Sequence, residues 1–379
     1  MKTSIKSFVV LISCGLFACE PGKQIIQGET GNLNTNKMYL CEVVSDYWKS
    51  HRAVDSVDVI DGKFMFELEN VQPELYFLGD SPNHGGYFFL DGKRIKVQPE
   101  KVTEEEILWK VEGSSLDQKY RAFMEQWDEA TFKQITDSLD TLFFQARDAG
   151  NREEMARIKE ESIYYYDEGR ARSAALVKEV LEKNKENSFG MYLYYYKQFQ
   201  HKDFPMLEEI IAEKAYIESF GAAAKNTRYL PWVMEKLGKY EGCAIGHEAP
   251  EIVGKDTLGN ELKLSDLRGS FVLVDFWNSY CHWCREETPE LKRALEHFAG
   301  KNFKILGVSS DRVKKLWMDA IHEDGSYWDH LMLEKGDDVM DRYCIKGIPH
   351  IILVGPDGKI LAKELRGQDL IDVPDQFVK

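Results

Sequence analysis

Cys281-His282-Trp283-Cys284 is the one closely spaced cysteine pair that a catalytic reading of this chain can use. Two intervening residues bring both sulfurs within reach of one another, so a disulfide can form and break there. Phe271–Trp277 (FVLVDFW) reads as a buried strand ending four residues before Cys281. Leu291, Leu295 and Phe298 then fall on one face of a helix that begins near the pair. A cysteine at a strand-to-helix junction meets the positive end of the helix dipole and free N–H groups, which favour thiolate over thiol. Cys281 is therefore expected to be the exposed attacking sulfur and Cys284 the shielded resolving one. The competing readings are a structural pair or half of a zinc site. Zinc would want a second pair at ligand spacing, and Cys344 with His350 is a poor one, so no metal is expected.

The rest of the composition narrows the setting. Seven cysteines in 379 residues are too few for a disulfide-stapled scaffold. Cys41, Cys243 and Cys344 are scattered singles; a structural pairing of Cys243 with Cys344 is possible and stays open at this level. The formal charge of −15 speaks against nucleic acid, whose recognition needs a basic face, and against adsorption on anionic lipid. At the N-terminus Lys2 and Lys6 precede Phe8–Ala18, an apolar run of signal-peptide size that is too short to span a bilayer. It closes on Leu16-Phe17-Ala18-Cys19, which resembles a bacterial lipobox, with Phe17 bulkier than usual. Residues 1–18 are thus expected to be a lipoprotein signal peptide and Cys19 a lipid anchor, with plain secretion as the alternative. Using Cys14 instead would leave too short an apolar core.

Three stretches follow. Residues 19–113 carry short alternating runs, among them Met38–Val44, Lys63–Leu68, Tyr76–Leu78 and Tyr87–Leu90. With Asp61-Gly62 and Asp91-Gly92 as tight-turn signals, they predict a small antiparallel sandwich or barrel. His84, beside Gly85-Gly86, reads as a loop residue. Residues 114–240 are helical, with breaks at Asn151, Asn187-Ser188 and Phe204-Pro205, and packing between helices is the reading for the tyrosine clusters 164–166 and 192–196. Residues 246–379 alternate strands and helices: a hairpin at Glu251–Leu264, strands at Phe271–Trp277, Phe303–Ser309, Ile345–Val354 and Lys359–Glu364, and a helical stripe Val313, Leu316, Trp317, Ala320, Ile321. That order predicts an α/β module with helices on both sheet faces.

Val274-Asp275-Phe276-Trp277 leading to the cysteine pair, then Glu287, Pro289 and Gly347-Ile348-Pro349, resembles the thioredoxin fold. Within it the pattern is similar to TlpA/ResA-like exported thiol-disulfide oxidoreductases. The preceding β and helical stretches, with a DGKF hairpin at Asp61–Phe64, are similar to Bacteroidetes-type lipoproteins in which a small domain of unknown function precedes such a module. The resemblance implies a buried, protonated Asp275 beneath Cys284 that exchanges its proton with a sulfur, since burial disfavours the charged carboxylate. It implies that Glu287 lies near the sulfurs and that Pro349 is a cis-proline packed against the pair. The backbone of Ile348 is then open to β-like pairing with an incoming chain. Trp277, Tyr280, His282, Trp283 and Ile348 are the expected substrate contacts. Tyr280 and the His282-Trp283 dipeptide depart from the commoner family residues, and a protonated His282 would make the pair more oxidising.

Three functions compete on these grounds. One is a lipid-anchored, periplasm-facing reductase of protein disulfides, with no cofactor beyond the cysteine pair and a membrane thiol-reducing transporter as electron donor. The second is a disulfide oxidase or isomerase using the same site. The third is a non-enzymatic, partner-binding lipoprotein with a thioredoxin-like scaffold. A thiol peroxidase is disfavoured, because Asn278 stands where Thr-x-x-Cys would need its threonine.

Overall fold

The computed structural model describes residues 23–44 and 51–379; the expected signal peptide 1–18 and the anchor Cys19 lie outside the described residues. The chain divides after Leu193 into two compact units.

In the first unit the strands are β1 (Lys23–Glu29), β2 (Lys37–Val43), β3 (His51–Asp58), β4 (Lys63–Glu69), β5 (Leu75–Ser81), β6 (His84–Phe89), β7 (Arg94–Val102) and β8 (Ile107–Glu112). They form two four-stranded sheets, ordered β4-β1-β7-β8 and β3-β2-β5-β6. Period-two alternation sends Phe64, Phe66 and Leu68 of β4 inward. They join Ile26, Ile95 and Trp109 of the same sheet and Met38, Leu40, Leu78 and Phe88 of the other in one core. The result is a sandwich, but not a wholly antiparallel one. β1 runs parallel to β7, with Ile25 opposite Arg94. No hairpin links those two strands, so nothing local dictates their relative direction.

Asp61 and Gly62 take positive φ, 51° and 72°, and turn β3 into β4 as the sequence predicts. Asp91-Gly92 does something different. The Asp91 carboxylate accepts hydrogen bonds from the hydroxyls of Ser114 and Ser115 and from the amide of Leu116, tying the start of the next helix to the sandwich. His84 also departs from expectation. It opens β6, where its ring bonds Asp80 and the carbonyl of Thr103.

Among the described residues of this unit, helices α1 (Ser115–Ala130), α2 (Lys133–Asp148), α3 (Arg152–Glu182) and α4 (Ser188–Leu193) follow the sheets. Ser114 and Asn151 cap α1 and α3 by accepting the amides of Asp117 and Glu154. A break the sequence did not signal falls at Phe132, held at φ 52° between α1 and α2. Packing explains Tyr192, which is fully buried, but not Tyr164 and Tyr166, which lie exposed on α3.

The second unit begins at Tyr194, so the helical stretch expected over 114–240 is split between the two units. Tyr194, Tyr195 and Tyr196 are buried in a π-turn. Helices α5 (Leu207–Glu218), α6 (Ala222–Lys225) and α7 (Tyr229–Gly242) follow. Next come β9 (Val253–Lys255), β10 (Glu261–Lys263), β11 (Phe271–Trp277), α8 (His282–His297), β12 (Phe303–Ser309) and α9 (Lys314–Asp324). The chain closes with β13 (Asp329–Met332), α10 (Val339–Arg342), β14 (His350–Val354), β15 (Ile360–Ala362) and α11 (Asp369–Asp372).

The strands form one sheet, β10-β9-β13-β12-β11-β14-β15. β11, β12 and β13 are parallel, and β14 returns antiparallel to β11 with Asp275 opposite Ile351. Residues of α8 and α11 pack on Leu273, Ile305 and Leu353; Val339 of α10 packs on Val274 and Phe276 from the other side. Coverage of both faces explains why β11 is a continuous apolar run rather than an alternating one. This is the thioredoxin fold that the sequence predicts, and it sets the end of β11 against the start of α8.

Candidate active site

Cys281 is the N-cap of α8: its backbone is extended and its sulfur accepts the amide N–H of Cys284 at 3.1 Å. The helix starts there because the Asn278–Tyr280 loop is pinned from below. Asp311, wholly buried, takes the amide of Ser279 at 2.9 Å and its hydroxyl at 2.6 Å, and also the hydroxyl of Ser309 at 2.7 Å. Nothing in the sequence singled out Asp311. Its only local signal is a Ser-Ser-Asp run at the end of a predicted strand.

The two sulfurs are joined as a disulfide, with Cα atoms 5.2 Å apart. Cys284 is 3% exposed, whereas Cys281 is only partly buried. The Cys284 N–H donated to Cys281 and the helix N-terminus there would hold a thiolate at that sulfur once the bond is reduced. Ile348-Pro349 is a cis peptide, and the Ile348 carbonyl oxygen lies 3.8 Å from Cys281 Sγ.

Asp275 sits in the middle of β11, fully enclosed, with Oδ1 lacking a partner. Burial pushes its carboxyl up to about 7; Arg366 opposes that shift and Glu287 adds to it. Asp275 is therefore poised to hold or release a proton near neutrality. Glu287 accepts the amide of Gly367 at 2.6 Å. The neighbouring Arg366 donates to the carbonyls of Pro349 and Leu365. The arginine thus connects the loop holding Ile348 with the electrostatics of Asp275. It lies in a Leu-Arg-Gly segment that carried no sequence signal for this role.

The expected substrate contacts separate into two groups. Tyr280 and Trp283 are 71% and 69% exposed and flank Cys281 as an aromatic rim. His282 is also exposed, its Nε2 lying 3.1 Å from the carboxylate of Glu286. Ile348 packs against Cys281 and Cys284 while offering its carbonyl. Trp277 shares a cluster with Cys281, Cys284 and Ile348 but presents little surface to a substrate. It is 5% exposed and packs on Trp317 and His330, because its place at the end of β11 turns the ring into the core rather than toward solvent. Among the described residues no group of three His, Cys, Asp or Glu converges in a metal-binding arrangement.

Residues 245–363 match the AhpC/TSA family, and residues 25–120 match DUF4369, a domain of unknown function. The thiol-disulfide oxidoreductase ResA of Bacillus subtilis is 29% identical over 121 residues, 32% of this chain and 67% of that protein. ResA of Bacillus cereus is 24% identical over 38% of this chain and 82% of that protein. Among solved structures, the thioredoxin domain of a thiol-disulfide oxidoreductase from Bacteroides vulgatus is 52% identical; the match covers 36% of this chain and 99% of that one, at a TM-score of 0.35.

Proposed function

The C-terminal domain belongs to the AhpC/TSA, thioredoxin-like group that includes the ResA-type thiol-disulfide oxidoreductases, and from this premise we propose that the chain reduces protein disulfides at the cell envelope. The chemistry itself is thiol–disulfide exchange. The Cys281 thiolate attacks a substrate disulfide and forms a mixed disulfide; Cys284 then attacks Cys281 Sγ and releases the reduced substrate. The cysteine pair supplies both electrons, so no further cofactor enters the step. A partly exposed Cys281 with the exposed aromatics Tyr280 and Trp283 close to it in sequence, beside the Ile348 carbonyl, suits a polypeptide substrate that pairs its backbone across the site.

One observation supports the reducing direction. Any charge on His282 is balanced by Glu286 at 3.1 Å, so this side chain adds little to the stability of the Cys281 thiolate. A pair whose dithiol form is less stabilised is the more reducing one. Equilibration with glutathione buffers tests this reading. The expected potential lies nearer the thioredoxin value of about −270 mV than the about −120 mV of a strong oxidant. A value near the upper figure would transfer the assignment to an oxidase.

The envelope setting rests on the N-terminal sequence: Cys19 would carry the lipid, the body of the protein would face the periplasm, and a membrane thiol-reducing transporter would return electrons to Cys281 and Cys284. Among the described residues no helix is long and apolar enough to cross a membrane. A lipid on Cys19 would therefore be the tie. Cys19→Ser is expected to move the protein from the membrane fraction to the soluble one while its redox activity in vitro is retained. Wild-type protein found wholly in the soluble fraction would rule the anchor out.

A further inference from the structure

A second pair of cysteines stands in the same unit, apart from the Cys281–Cys284 disulfide. Cys243 caps the C-terminus of α7 and is wholly buried; Cys344 follows α10 and is partly exposed. They are 101 positions apart in sequence, yet Cys344 packs against the cluster that holds Cys243, near enough for each thiol to shift the other's ionisation. The Lys363 ammonium lies 3.5 Å from Cys243 Sγ and also donates to the Cys243 carbonyl at 3.1 Å. A buried cysteine serving only as a small apolar filler would not call for an ammonium aimed at its sulfur. Cys344 has a φ of 56°, in the left-handed region that glycine occupies at lower cost after a helix.

We propose that Cys243 and Cys344 are a second redox-active dithiol, converted to an intramolecular disulfide by exchange with a low-molecular-weight disulfide. The neighbouring Cys344 thiol, and after it the Lys363 charge, push the Cys243 thiol down to about 6, while Cys344 is pushed up. Transfer of the Cys344 proton to the Cys243 thiolate leaves the anion on Cys344, the less buried of the two residues. The Cys344 thiolate attacks one sulfur of RS–SR, forming a mixed disulfide and expelling RS⁻, which takes up a proton. Cys243 then loses its proton, attacks Cys344 Sγ and expels the second RS⁻. Two protein thiols are oxidised to one disulfide, and RS–SR is reduced to two RSH. The new bond would tether the end of α7 to the segment that reaches Ile348 four residues later, so its state bears on the loop beside Cys281.

The test uses the full-length protein, reduced, freed of reductant and exposed to oxidised glutathione. Remaining thiols are alkylated, and the peptides are mapped by mass without reduction. The expected result is a cross-linked peptide joining Cys243 to Cys344, lost on reduction and lost in Cys344→Ala. If Cys243 and Cys344 are each recovered singly alkylated, or if Cys344 carries only glutathione, the proposal is overturned. The same map reports Cys281–Cys284 independently, so a failure of the function proposed above would be seen separately.

Discussion

At the residue scale, the two cysteines of the disulfide differ in burial, and on that difference we propose different roles for them. Cys281 is partly open and sits where N–H groups and the helix dipole stabilise its anion; Cys284 is 3% exposed. Removing one or the other must give different outcomes. Cys284→Ser should accumulate mixed disulfides with partner proteins, seen as reductant-sensitive high-mass bands, because the attack that resolves them is lost. Cys281→Ser should trap nothing and lose exchange altogether. Equal trapping by both variants would refute the assignment of attacker and resolver. Sequence spacing pointed to these two residues as a disulfide pair, and they form one. It could not find Asp311 or Arg366, whose roles depend on which loops the fold brings above them.

At the element scale, β12 passes so close to its neighbours that one position tolerates no side chain. A Cβ on Gly307 would press into the ring of His330 at Nδ1 and stand 3.1 Å from Trp277 Nε1. His330 comes from β13 and Trp277 from β11, so Gly307 sets the spacing of three adjacent strands below the active-site loop. Gly307→Ala should destabilise the second unit by about 1–3 kcal/mol through overpacking, measurable by denaturant unfolding. The displaced Trp277 should also slow exchange at Cys281. An unchanged midpoint would mean that the strands part freely here. β11 and β12 were legible to the residue, because both are apolar runs buried on two faces. The four-residue elements β13 and α10 were not, since so short a segment carries no periodicity to read.

At the scale of the whole molecule, three buried groups give the second unit a pH signature. Burial raises the Asp275 carboxyl to about 7, so in the folded state it holds a proton that the unfolded chain releases above its ordinary value of 3.8. Its contribution to stability therefore falls as pH rises from about 4 to about 7. Burial lowers His330 and His350 to about 4, so the unfolded chain binds protons there that the folded one does not. Their contribution rises with pH between about 4 and 6.5, opposite in sign to that of Asp275. Asp275→Asn removes one side of the balance. The variant's stability should climb more steeply than wild type over that window, and its disulfide exchange should slow by ~10²–10⁴-fold. Parallel stability profiles for the two proteins would show that Asp275 is ionised in the folded state. The sequence by itself determined the thioredoxin order of strands and helices, the cysteine pair and the buried carboxylate, because apolar runs, a two-residue spacing and one acid inside a strand are local features. Tertiary structure alone decided the parallel β1–β7 pairing, the capping role of Asp91, the burial of Trp277 and the meeting of Cys243, Cys344 and Lys363. Each of these brings together residues distant in the chain or sets which way a side chain faces, and neither outcome is encoded in any short stretch of sequence.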